Sequence, residues 1–297
     1  MYIGLDIGGT KIEVCVLTHS GETKFKQRTP TPKTYEQFVE AVVQSVFDAE
    51  RAVGAECKVG IGLPGAISPA TGLIKNANCL FLNGKDLKAD LENALNRTVE
   101  IANDANSFAL SEAVDGAGKD GNVVFGAILG TGCGGGLVVN KKVLNGANAI
   151  AGEWGHNPLP YFDPAKDGEP RRCYCGRQNC TESYISGTGF ELSYQLKTGT
   201  KLSAPEIMAL VEQKDPIASE CYQTLVDQMA RSFAVMINLI DPDVIVLGGG
   251  LSNIESLYQD LPKATLPYIF TDFANLNFKR AEYGDSSGIR GAAWLSL

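Results

Sequence analysis

Positive charge is in short supply. Lysine and arginine total 26 against 34 aspartates and glutamates, a net charge of −8. Nucleic-acid affinity comes largely from neutralising phosphates and releasing counterions, so no nucleic-acid partner is expected. An anionic nucleotide can still be held, through local backbone N–H groups and a metal ion. Long apolar runs are missing too: no stretch of 18 apolar residues offers a membrane span. The start, Met1-Tyr2-Ile3-Gly4-Leu5-Asp6, has no basic region and no signal-peptide core. A cytoplasmic chain without a membrane partner is the expectation. The Gly-X4-Gly-Lys-Ser/Thr spacing of a P-loop does not occur. No linker or low-complexity segment interrupts the chain, and histidine occurs only twice, as His19 and His156.

What is present fits an ordinary globular protein: 297 residues, 44% hydrophobic and 20% charged. That length suits two domains with cores of their own. The 33 glycines are clustered, which points to tight turns. Of eight cysteines, Cys15, Cys57, Cys79, Cys133 and Cys221 are scattered through apolar or Gly-rich stretches and read as reduced core or turn residues.

Periodicity gives the coarse organisation. Residues 2–7 form a strand, with Lys11–Leu17 as its hairpin partner across Gly8-Gly9-Thr10. Thr34 opens a helix, with Thr34 and Gln37 as a capping box and Phe38, Val42, Val46 and Phe47 as one apolar face. Lys58–Gly62 is a short strand running into the turn Leu63-Pro64-Gly65. Leu87, Leu91 and Leu95 mark a helix, and Val99–Ala102 is a strand leading into Asn103-Asp104 and a helix over 105–114. Val123–Leu129 then restarts the pattern: strand, Gly130-Thr131-Gly132, strand. The same strand–turn–strand device near residues 8 and 131 implies a duplicated α/β fold. A loop-rich insertion covers 141–186, a long helix covers 216–240, and a buried strand from Val244 to Leu247 precedes Gly248-Gly249-Gly250.

Several motifs carry chemistry. In Asp6-Ile7-Gly8-Gly9-Thr10-Lys11 the glycines bring backbone N–H groups close to phosphate oxygens, and Thr10 adds a hydroxyl. Asp6, at a strand end, can hold Mg²⁺ directly or through water. Thr131 and Gly132 form a second such turn, and Gly248-Gly249 would let an adenine or ribose pack on backbone. Asp104 can accept the proton of a sugar hydroxyl attacking a γ-phosphate, with Asn103 binding a neighbouring hydroxyl. Cys173, Cys175 and Cys180 are spaced Cys-X-Cys-X4-Cys and cannot all pair as disulfides. With His156 as the natural fourth ligand they make a Cys3His set for a closed, structural zinc. Glu153 and Glu182 flank it and can accept hydrogen bonds from sugar hydroxyls.

Together these residues resemble the ROK family (repressors, open reading frames, kinases). The resemblance runs from Gly4–Lys11 through Gly62–Gly65, Asn103–Asn106, Gly130–Gly132, Gly152–His156 and the cysteine loop to Gly284–Gly288 and Gly291–Ala293. It implies an actin/hexokinase-like (ribonuclease H-like) duplicated two-domain α/β fold with an interdomain cleft, ATP with Mg²⁺, structural Zn²⁺ and a homodimer. It implies a small domain over 1–117, joined by a C-terminal helix over 287–297, and a large domain over 118–286 with its zinc loop at 153–182. It places the base on Asp104, the sugar contacts on Gly65, Asn103, Asp104, Glu153, His156 and Glu182, and the phosphate contacts on Gly8, Gly9, Thr10, Lys11, Thr131, Gly132, Gly248 and Gly249. A chain that starts directly on its first strand leaves no room for the helix-turn-helix of the family's repressors. Ile67-Ser68-Pro69, Lys75–Asn78, Leu82-Asn83-Gly84 and Asn157–Pro160 resemble bacterial fructokinases, so fructose, or mannose, phosphorylated at its 6-hydroxyl is the expected substrate. Arg171-Arg172 and Gly134–Gly136 resemble the N-acetylglucosamine kinases, the alternative. A sugar-sensing regulator with little catalysis is the alternative of a different class.

Overall fold

The computed structural model describes all residues, Met1–Leu297. Its strands are β1 (Tyr2–Ile7), β2 (Lys11–Leu17), β3 (Thr23–Pro30), β4 (Lys58–Leu63), β5 (Ala66–Ile67), β6 (Ile74–Lys75), β7 (Val99–Asn103), β8 (Val123–Leu129), β9 (Cys133–Val139), β10 (Lys142–Val143), β11 (Val244–Gly248) and β12 (Phe278–Arg280). Its helices are α1 (Tyr35–Val53), α2 (Leu87–Leu95), α3 (Asp104–Val114), α4 (Pro164–Asp167), α5 (Glu182–Ile185), α6 (Gly187–Thr198), α7 (Ala204–Glu212), α8 (Pro216–Ile240), α9 (Leu257–Thr265) and α10 (Ser287–Trp294). None is long and apolar enough to cross a membrane.

Two five-stranded sheets have the orders β3-β2-β1-β4-β7 and β10-β9-β8-β11-β12. In the first, β1–β2 and β2–β3 are antiparallel while β1–β4 and β4–β7 are parallel. In the second, β9–β10 is antiparallel while β8–β11 and β11–β12 are parallel. One topology therefore occurs twice, as the repeated Gly/Thr turns imply. Central strands β1 and β4 are almost wholly buried and apolar. Edge strand β3 exposes Lys24, Lys26, Arg28 and Pro30, residues that discourage further strand pairing.

The chain divides into two compact units. One is Met1–Asp120 with Gly136–Ala151 and Glu282–Leu297; the other is Gly121–Gly135 with Gly152–Ala281. The sequence-based division puts Gly136–Ala151 in the larger part. In the structure β9 ends in the first unit because Gly136 lays its backbone on α3, where a Cβ would meet Ala105 O and Ala109 Cβ at 2.7 Å. Within that unit α10 packs on the sheet and on α3 through backbone. A Cβ on Gly291 would sit 1.6 Å from Ser107 O, one on Gly60 2.0 Å from Ala292 O, and one on Gly4 2.2 Å from Ile289 O. Fully buried Glu112 on α3 accepts the Ala117 and Glu282 amides and the Ser287 hydroxyl, fastening the C-terminal segment.

Helix α1 departs from expectation twice. Thr34 makes no side-chain cap; its carbonyl accepts the Phe38 amide instead. Phe47 is 40% exposed, because the buried stripe runs Phe38, Val42, Val46, Ala49 and leaves residue 47 turned about 100° from Val46.

Candidate active site and metal centre

Parallel strand β7 ends at Asn103, and α3 begins at the next residue. Asn103 is the N-cap: its Oδ1 accepts the Ala105 and Asn106 amides at 2.8 and 3.1 Å. Its Nδ2 donates to Asp104 Oδ1 at 2.8 Å, and one N–H of that amide remains. Asp104 Oδ1 also accepts the Ala105 amide at 2.8 Å. Oδ2 carries no hydrogen bond and the side chain is open at its outer edge. Desolvation by surrounding protein pushes the Asp104 carboxyl above the ordinary aspartate value, against the Ala105 amide, its own amide and Asn103, which lower it.

Asp6 stands at the end of β1 in the same unit. Burial, then the charges of Asp104 and Glu13, push it up to about 6, with Lys11 opposing. A carboxyl held up by burial and two like charges is one that a divalent cation would bring back down. Mg²⁺ ordinarily takes one or two carboxylates together with water and phosphate oxygens, so Asp6 fits. The α10 N-terminus lies close by: a Cβ on Gly288 would be 3.3 Å from Asp6 Oδ2. The turn after β1 is closed by Gly8 N–H to Lys11 O at 2.8 Å and exposes Gly9 and Thr10. Lys11 pairs with Glu13 at 3.1 Å, and Arg28 holds the same carboxylate. Gly65 has φ +138 and packs on Lys75 O and Ala77, so only glycine suits that turn.

In the second unit, Trp154 is the anchor. Its ring packs between Phe125 and Phe233, and its Nε1 donates to Gly134 O at 2.9 Å. Glu153, exposed, and His156, half-buried, stand on either side of it. Glu182, the first residue of α5, accepts the Cys133 amide at 3.1 Å and lies 3.8 Å from Cys173 Sγ. It therefore joins the Gly130-Thr131-Gly132 turn to the cysteine loop. That turn is held by Gly187 N–H to Gly130 O at 2.7 Å and by the Thr188 hydroxyl to Thr131 O. Gly248 ends β11, and Gly249, at φ +77, presses on the Leu129 carbonyl, leading into a short 3₁₀ turn over Gly250–Asn253.

His156, Cys173, Cys175 and Cys180 place their ligand atoms within 4.8 Å of one another. Cys173 Sγ to His156 Nδ1 is 3.6 Å and Cys175 Sγ to Cys180 Sγ is 3.5 Å. Tetrahedral zinc with Zn–N and Zn–S bonds of about 2.1 and 2.3 Å has edges of roughly 3.5–3.8 Å, so donor set and spacing fit a closed site. The Arg177 amide, ahead of its guanidinium, pulls the exposed Cys175 thiol down to about 6. The loop is pinned from behind: buried Arg231 on α8 bonds Asp167 at 2.6 Å and Pro160 O at 2.6 Å. Sequence reasoning passed over Tyr174, whose hydroxyl lies 3.0 Å from His156 Nε2.

The residues behind the fructokinase expectation have structural work. Asn157 O accepts the Thr181 amide and Leu159 N–H bonds Asn179 O, so Pro158 sits where the pairing with 179–181 needs no N–H. Asn83 clamps both the N–H and the carbonyl of Ala77. Arg171, from the alternative's signature, is likewise structural, bonding Ser183 O, Gly189 O and the Ser193 hydroxyl.

Comparison with known proteins agrees with this architecture. The ROK family profile matches residues 2–297. An N-acetyl-D-glucosamine kinase of Haemophilus influenzae is 43% identical over 100% of this chain and 99% of its own. One of Salmonella gallinarum is 41% identical over the same shares. The crystal structure of a ROK hexokinase from Thermus thermophilus superposes with a TM-score of 0.86 at 29% identity, over 99% of this chain and 97% of that one. The relatives favour the alternative, N-acetylglucosamine, over fructose, and the fructokinase expectation gives way to them. A match across the whole length, with both halves of a duplicated α/β fold in place, makes this chain a member of the ROK family and a sugar kinase.

Proposed function

We propose that the chain transfers the γ-phosphoryl group of ATP to the 6-hydroxyl of N-acetylglucosamine, with Asp104 as general base. The observation that carries the chemistry is the Asp104 carboxylate, with Oδ1 tied to the head of α3 and Oδ2 unengaged. Its raised pKa brings it nearer to the operating range of a general base. The sugar hydroxyl gives its proton to Oδ2 as its oxygen attacks the γ-phosphorus in line, and ADP leaves. Gly9, Thr10, Lys11, Thr131 and Gly132 offer N–H, O–H and ammonium groups to the phosphates, Gly8 shapes the first turn through its bond to Lys11 O, and Gly248-Gly249 offers bare backbone to the adenosine. Asp6 would hold Mg²⁺, which would supply positive charge to the phosphate oxygens. Asn103, Gly65, Glu153 and Glu182 orient the sugar directly, His156 acts on it through the Tyr174 hydroxyl that it bonds, and the Cys3His set keeps this loop in place. The working form is a homodimer, which sedimentation checks. Full-length likeness at 41–43% identity to N-acetyl-D-glucosamine kinases supports the sugar.

The test is a panel of hexoses with ATP, read by coupled ADP release. N-acetylglucosamine should give the highest kcat/KM. Preferential turnover of fructose would restore the earlier expectation, and sugar binding without ADP release from any sugar would mark a regulator instead.

A further inference from the structure

His156 has one hydrogen-bonding atom on each side of its ring. Nδ1 faces Cys173 Sγ at 3.6 Å and Nε2 faces the Tyr174 hydroxyl at 3.0 Å. With Nδ1 turned to a metal, Nε2 carries the ring proton, and the Tyr174 oxygen accepts it. The phenol's own proton is then free to point elsewhere. The phenol stands edge-on to the imidazole, with centroids 5.2 Å apart at 81°, and is 83% exposed. Cys173 and Cys175 flank it, so a metal-tied loop sets its position rather than a free chain.

The donors and acceptors of this cluster can be counted against a sugar. Ionised Glu153 and Glu182 only accept. The single N–H of His156 is given to Tyr174. Hydroxyls both donate and accept, so the carboxylates suit them. An acetamido carbonyl only accepts, and no carboxylate can bond it. The Tyr174 O–H is the donor left over, and its ring adds an apolar surface for the methyl group. Building on the N-acetylglucosamine reading, we propose that Tyr174 is the specificity residue for the acetamido group. Its hydroxyl, polarised by His156, donates to the acetamido carbonyl, and its ring covers the methyl.

Tyr174→Phe tests this, since it removes the hydroxyl and keeps the ring. The ratio of kcat/KM for N-acetylglucosamine to that for glucose should fall about tenfold, the scale of one lost hydrogen bond. The fall should lie mainly in KM, and calorimetric binding of N-acetylglucosamine alone should weaken equally. Zinc content by metal analysis should stay unchanged. An unchanged ratio, whether both sugars fall together or neither moves, overturns the proposal, and so does loss of zinc from the variant. A wild-type enzyme that prefers fructose or glucose to N-acetylglucosamine would sink the substrate reading, and this proposal with it, before any variant is made.

Discussion

Asp104 is a residue whose backbone neighbours decide its chemistry. Two donors hold Oδ1, so an amide at this position can keep the same geometry. Asp104→Asn should therefore lower kcat by about 10²–10⁴-fold, the usual cost of a lost general base, while the sugar Kd from calorimetry changes little. Near-normal kcat would remove Asp104 from its role. Asp6 gives a prediction of opposite character. Its folded pKa, about 6, lies above that of the unfolded chain, so the folded state binds the proton more tightly. Without metal, stability should fall as pH rises from about 4 through 6 and then level off. Asp6→Asn should flatten that dependence and stabilise the metal-free protein at pH 7.5 by on the order of 1–2 kcal/mol, allowing for partial exposure, while losing Mg²⁺-dependent turnover. Urea titrations at several pH values would show it, and an unchanged pH profile in the variant would refute it. The positions of Asp6, near the end of β1, and of Asp104, at the start of α3, were legible in the sequence because each lies where a strand runs into glycines or a helix start. The N-cap role of Asn103 and the buried Glu112 were not. Caps depend on a backbone angle, and Glu112 finds its partners some 170 positions away.

Elements were legible where their own periodicity settles them. The 25-residue α8 and strands β1, β2, β8 and β11 lie where the apolar pattern puts them. The cysteine loop was legible from ligand count alone. What misled was short polar signatures: Asn157-Pro158 and Asn83 read as substrate markers, yet both close local backbone pairings. For the loop, Cys175→Ser should release about one zinc per chain, as a four-ligand structural site implies, and raise KM for the sugar more than for ATP. Zinc-free wild type, purified without chelator, would contradict this. For α10, Gly291→Ala sets a methyl against the Ser107 carbonyl. Backbone cannot yield there as a side-chain tip can, so the loss should be about 3 kcal/mol or more in denaturant unfolding. A loss below 1 kcal/mol would mean that α10 sits less tightly than described.

At the scale of the whole molecule, two units carry the same strand order. Duplication was visible in the paired Gly/Thr turns. The resemblance also placed the C-terminal helix with the first unit, but the return of Gly136–Ala151 was not visible, since long-range packing rather than local pattern decides it. A ligand that binds only the folded chain stabilises it by mass action, about 2.7 kcal/mol at a hundred times Kd. N-acetylglucosamine at that level should raise Tm by roughly 5 °C, and fructose at equal concentration should do less. Equal shifts would argue against discrimination at the binding step.

The discontinuity of the first unit also bears on synthesis. A ribosome delivers Met1–Asp120 well before Glu282–Leu297. Residues 121–281 come between, which takes on the order of ten to thirty seconds at about 5–20 residues per second. Through that interval Gly4, Gly60 and Ser107 lack the helix they pack against, and Glu112 lacks the Glu282 amide and the Ser287 hydroxyl. The second unit, made later, completes its chain first. The nascent first unit is thus left as an unfinished sheet with a bare apolar face, a form that chaperones bind, until the final helix emerges.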